Sequence, residues 1–249
     1  MTRLGIEHLV KEVLRAVGLS PTPPIPVRLV AERLGVSNIS IRPMVEDGAL
    51  VRLGTVTNVL LREGRSPTRQ RFTLAHELGH LLLLGDTDLA VEFRQVQRGR
   101  DAEESLCDDI AAALLMPTEW IRERFSSRPM MLPMVRDLAP ACEVSMAAAF
   151  VRLDEVCGWR AALLRWREEG GRFRFVAGAG LPPPLFGQVG SASATTSARV
   201  AARWPDRWVS LPLSVGREEQ AVHAHVSVRC SSAMALFCHL PLTVSRPEG

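Results

Sequence analysis

Apolar residues recur at helical spacing through Ile6, Leu9, Val10, Val13, Leu14 and Val17, and Gly18 closes the stretch, which predicts a helix over 6–17. Pro21, Pro23, Pro24 and Pro26 then impose a rigid connector. A second short helix is expected over 26–35, opened by Pro26 and closed by Gly35. Three strands are expected over 38–42, 49–53 and 57–61, with Asp47-Gly48 reading as a tight turn between the first two. The next helix starts where Ser66 can cap it and Pro67 suits its first position, and Gly85-Asp86 stops it. Residues 86–100 are polar and arginine-bearing, an exposed loop or frayed helix. Residues 102–116 carry an apolar stripe through Leu106, Ile110, Ala113 and Leu114, and Pro117 ends that helix. Another short helix is expected over 118–125, with Thr118 as its cap.

The pattern then shifts. Residues 132–138 and 144–156 read as two helices separated by a turn at 139–143, a helix-turn-helix rhythm. Beyond Trp159, segments 160–166 and 172–177 flank a Glu-Glu-Gly-Gly hairpin signal at 168–171. Residues 178–197 are rich in Gly, Pro, Ser and Ala and are expected as a mobile loop. A short helix is expected over 198–203, and strands over 208–213, 221–229 and 233–240. The chain is therefore expected to be α+β, mainly helical with a small sheet at first and ending in an antiparallel sheet.

One of these helices carries chemistry. The stretch T-L-A-H-E-L-G-H contains H-E-x-x-H as His76, Glu77 and His80. Residues four apart share a helix face, so two imidazoles can converge on one ion, with Glu77 beside them to take a proton from water. Such a site needs a third protein ligand. Glu103, Glu104, Asp108, Asp109 and the softer Cys107 are the downstream candidates. The stripe alone does not choose among them; a hydrated ion prefers the flank of an apolar face to its dry centre, which tilts the choice to Glu104. Zinc is the default ion for this donor set, with manganese the alternative.

Composition narrows the rest. The apolar share is 47% and the charged share 23%, ordinary for a globular protein, and no run of 18 apolar residues offers a membrane span. The first residues lack an apolar signal core, so the expected location is the cytoplasm. Five cysteines (107, 142, 157, 230, 238) without a C-x-x-C indicate neither a disulfide framework nor a cysteine zinc finger. A net charge of +3 does not demand a nucleic-acid partner. Tyrosine is absent, so no tyrosine can stabilise an oxyanion here.

The run R-Q-R-F-T-L-A-H-E-L-G-H at 69–80, followed by E-S-L-C-D at 104–108 and A-A-A-L-L-M-P at 111–117, resembles the ImmA/IrrE family of zinc-dependent peptidases. The likeness covers about residues 1–125. It implies a zincin-like peptidase domain in which His76, His80 and Glu104 hold the metal and Glu77 is the catalytic base. The family's usual Ala-Asn is replaced by Cys107-Asp108. In layout the chain is similar to the IrrE-like radiation-response proteases of deinococci. That likeness implies a metallopeptidase domain (1–126), a helix-turn-helix-like domain (127–158) and a GAF-like sensor domain (159–249). The implied substrate is a helix-turn-helix repressor of the DdrO type, whose cleavage releases DNA-damage-response genes.

Two further readings compete. A non-catalytic DNA- or partner-binding regulator with a structural metal would use the middle segment. Yet between 128 and 160 four arginines (128, 136, 152, 160) are balanced by Asp137, Glu143, Asp154 and Glu155, and the second helix opens with Ser145, Met146, Ala147 and Ala148 rather than base-reading side chains. A redox-tuned protease would use Cys107, one turn beyond Glu104. His223 and His225 share a strand face by alternation and read as a half-exposed surface.

Overall fold

The computed structural model describes residues 3–85, 91, 99–159, 161–169, 172–180, 207–215, 218–229 and 233–239. Among them it is α+β. The helices are α1 (Arg3–Ala16), α2 (Val27–Arg33), α3 (Pro67–Leu83), α4 (Arg100–Leu115), α5 (Thr118–Phe125), α6 (Leu132–Ala141) and α7 (Met146–Cys157). The strands are β1 (Val36–Arg42), β2 (Gly48–Leu53), β3 (Val56–Arg62), β4 (Ala161–Glu169), β5 (Arg172–Ala179), β6 (Arg207–Val215), β7 (Glu218–Arg229) and β8 (Ala233–His239). The chain divides into two compact units. One comprises Met1–Arg124 with Leu138–Ala148, the other Phe125–Asp137 with Ala149–Gly249.

In the first unit a three-stranded sheet runs in the order β1-β3-β2. β3 lies in the middle, parallel to β1 and antiparallel to β2. Its alternate residues Thr57, Val59 and Leu61 are buried, the period-two signature of a sheet with one packed face. The expected tight turn at Asp47-Gly48 is therefore corrected. β1 and β2 do not pair, because β3 takes the hydrogen-bonding edge of both, and Gly48 is the first residue of β2.

α3 packs on this sheet and on α4, burying Leu74, Ala75, Leu78 and Leu82. The expected start holds: Ser66 accepts from the Arg69 N–H and Pro67 occupies the first turn. Burial of Ile110, Ala111, Leu114 and Leu115 fixes α4 in the same core. The two helices touch where side chains are smallest. A Cβ built on Gly79 would lie 3.0 Å from the Cys107 Cα and 3.1 Å from its Cβ. Gly79, inside the H-E-L-G-H run, lets α4 approach α3 this closely.

The second unit holds a five-stranded antiparallel sheet, ordered β5-β4-β8-β7-β6. α6 continues three residues past its expected end and carries Pro140 inside its last turn. Ser145 caps α7 by accepting from the Ala148 N–H. The helix expected over 198–203 and most of the loop at 178–197 lie outside the described residues, as do nearly all of residues 86–98. No helix among the described residues is long and apolar enough to cross a membrane.

Candidate metal centre

α3 places His76 and His80 one turn apart, and α4 brings a carboxylate over both. One ligand atom each from His76, His80 and Glu104 falls within 4.8 Å of the others. The two Nε2 atoms lie 3.2 Å apart, His76 Nε2 is 3.1 Å from Glu104 Oε2, and His80 Nε2 is 3.8 Å from Glu104 Oε1. Zinc ligands at ~2.0–2.2 Å in a tetrahedron stand about 3.4 Å apart, so this triangle is already of the right size.

The outward nitrogens strengthen the case. His76 Nδ1 is 2.8 Å from Asp108 Oδ1, and His80 Nδ1 is 3.0 Å from Glu103 Oε1. A carboxylate beside each Nδ1 calls for N–H there, which leaves the Nε2 of a neutral ring as a lone pair. Two lone pairs and a carboxylate then face one another with no donor among them. A cation is the group that fits such a set, and imidazole nitrogen with carboxylate oxygen suits zinc or manganese.

Five acidic or thiol candidates competed for the third position in the sequence. The structure brings Glu104 to the inner atoms and sets Glu103 and Asp108 behind the imidazoles. That orienting role was missed from sequence. The signal that could have found it is the spacing from Glu104 to Asp108, i to i+4 on one helix face. Cys107 is buried against Gly79, and burial pushes its thiol above the usual range, which favours the protonated form.

Glu77 points into the same cavity, of about 930 Å³, which Gly48, Ala49, Leu50, Thr73 and Arg100 also border. Its side chain is buried. Burial raises its pKa above the ordinary carboxylate range, His76 and His80 oppose that, and the Glu104 carboxylate adds to it. The backbone N–H of Leu50 donates to the Glu77 carboxylate. For His76, burial disfavours the charged ring, but the hydrogen bond and charge of Asp108, with Glu77 and Glu104, outweigh it and raise the pKa. A buried carboxylate with a raised pKa, beside a two-imidazole, one-carboxylate donor set, is equipped to move protons at an ion-activated bond.

Residues 28–154 match the model of the Peptidase_M78 family, described as the IrrE N-terminal-like domain. Two curated relatives, both radiation response metalloproteases named IrrE, come from Deinococcus radiodurans and Deinococcus deserti. Each is 40% identical to the chain over 100 residues, which is 39% of the chain but 30% and 36% of the relatives. The match thus spans about a third of their length. Among solved structures, a Mycobacterium tuberculosis transcriptional regulator superposes with a TM-score of 0.50 at 15% identity, over 94% of this chain and 75% of that one. At that identity the likeness is one of fold.

Proposed function

The chain belongs to the IrrE N-terminal-like peptidase family, and from that membership we propose that it is a metal-dependent endopeptidase. His76, His80 and Glu104 are its ligands and Glu77 its general base. The observation that carries this reading is the set of acceptor atoms turned toward one point, with Glu77 in the same cavity. When bound, zinc, with manganese the alternative, would supply Lewis-acid polarisation of a scissile carbonyl.

The protein's own groups do the remaining work. Glu103 and Asp108 keep the imidazoles in the tautomer and orientation that ligation needs. Glu77 orients the attacking water, takes its proton and can return it to the leaving amine nitrogen. With no tyrosine in the chain, two arginines border the cavity: Arg69, engaged by Asp47, and Arg100, whose Nε lies 3.9 Å from Glu104 Oε1.

A protein substrate fits the site. β2 is an edge strand running along the cavity, and an extended peptide can add to such an edge. We read that substrate as a helix-turn-helix repressor of the DdrO type, cut to release DNA-damage-response genes in the cytoplasm. The matched relatives are named for the radiation response, which supports this reading. The GAF-like sensor role of residues 159–249 belongs to the same proposal and stands on no more than a five-stranded antiparallel sheet.

The rival, a DNA-binding regulator with a structural metal, loses ground in the second unit. Arg152 is buried and paired with Glu155, and Arg128 is paired with Asp137, so two of the four arginines offer no free charge to phosphate.

Co-incubation of the metal-loaded protein with a candidate repressor, read by mass spectrometry, decides between them. New repressor termini that vanish with chelator and return with zinc are expected. An intact repressor, together with a gel shift of damage-response promoters, would instead establish the regulator.

A further inference from the structure

Gly48 opens β2 where the strand passes over the Glu77 side chain. Its φ lies outside the left-handed region, so the backbone does not demand glycine there. Space does. A Cβ at this position would lie 2.3 Å from Thr73 Cγ2 and 2.6 Å from Glu77 Oε1.

Of the pieces involved, the end of the Glu77 side chain is the one freest to move. Thr73 is buried on α3 and β-branched, which restricts its rotamers. Asp47, one residue before Gly48, is gripped from both sides: Arg65 donates to Oδ1 through Nε and a terminal nitrogen at 2.7 Å each, and Arg69 to Oδ2 at 2.8 and 2.6 Å. Both arginines belong to the entrance of α3, so the clasp sets the height of β2 above that helix. On the other side β2 is paired to β3 from Gly48 to Leu53. With strand and helix tied together, an added methyl group acts on the Glu77 carboxylate.

We propose that Gly48 is a positioning residue for Glu77: its bare backbone leaves the room in which the carboxylate stays on the Leu50 N–H and faces the metal centre. This deepens the proposed peptidase reading and rests on it for its catalytic consequence.

The test compares Gly48→Ala with Gly48→Ala/Thr73→Ser, in the full chain. Three readouts are followed: zinc affinity, repressor cleavage, and hydrogen exchange at the Leu50 amide. Gly48→Ala is expected to bind zinc like the parent, to lose roughly 100-fold in kcat with KM little changed, and to exchange faster at Leu50. Thr73→Ser removes the γ-methyl but leaves the clash with Oε1. The double variant should therefore regain thermal stability while kcat and Leu50 exchange stay impaired, and it carries the test if Gly48→Ala alone does not fold. Parental kcat and exchange in Gly48→Ala would overturn the proposal. So would full recovery of kcat in the double variant, because the fault would then lie with Thr73. Failure of the base assignment shows separately, as parental cleavage by Glu77→Gln, whereas the exchange readout needs no activity.

Discussion

The cavity has two unlike walls. The wall made by α3 and α4 is two helices pressed together at Gly79 and Cys107, and it carries every candidate ligand and both orienting carboxylates. The wall made by β2 is a strand edge that contributes no donor to the ion. Its first residue, Gly48, lies against Glu77 and Thr73, and the strand is held by its pairing with β3, by the Leu50 N–H on Glu77 and by an arginine clasp. The ligands and Glu77 thus share α3 and α4, while β2 only sets the position of the Glu77 side chain. Damage to one wall should be separable from damage to the other.

The sharpest separation compares Glu104→Ala with Glu77→Gln. Glu104→Ala removes a donor from the set of three, so metal binding and cleavage should fall together, with excess zinc restoring part of both. Glu77→Gln keeps the shape and hydrogen-bonding reach of the side chain but cannot take a proton. Zinc affinity, measured by calorimetry, should stay near parental while cleavage drops by about 10²–10⁴-fold. Loss of metal in Glu77→Gln would show that Glu77 helps to hold the ion rather than only moving the proton.

A smaller effect is expected behind the imidazoles. Asp108→Ala and Glu103→Ala should each weaken zinc binding by about 10–100-fold while the three ligands remain. At saturating zinc most of the cleavage rate should return. If cleavage stays low when the site is filled, these carboxylates act on the reaction itself rather than through ligand orientation.

The same two walls differ in how readable they were. His76, Glu77 and His80 announce themselves because a helix repeats every 3.6 residues and the chemistry needs neighbours on one face. Glu104 was harder, since its role depends on which side of α4 meets α3, and a stripe of apolar residues defines a face only to within a residue. Glu103 and Asp108 are ligand candidates by sequence, but their place behind the rings exists only once the Gly79–Cys107 contact sets the helix spacing. The β2 wall was misread. Asp-Gly is a strong turn signal where adjacent strands pair, and nothing local reveals that β3 will insert between β1 and β2. Nor does local sequence reveal that Asp47 will meet two arginines lying 18 and 22 residues further along. In the second unit strand existence was legible from alternation, whereas the strand order is a matter of long-range pairing that alternation does not encode.

The arginine clasp gives the mildest way to disturb the β2 wall alone. Hydrogen bonding from Arg69, then from Arg65, holds the Asp47 carboxyl below its ordinary range despite some opposing desolvation. All three side chains keep solvent contact, so the clasp should contribute about 1 kcal/mol or less. Because the folded state binds this proton more weakly than the unfolded chain, its share of stability rises with pH. That share is complete above the unfolded aspartate pKa of about 3.9. It drains as pH falls through the lowered folded value. Asp47→Asn should therefore lower Tm slightly at pH 7 and leave zinc affinity untouched. The gap between variant and parent should close as the pH is taken down through the acid range. A gap that persisted at low pH would mean that Asp47 holds β2 through its backbone, whose carbonyl accepts from the Arg62 N–H at 2.9 Å, and that the charge of the clasp adds little.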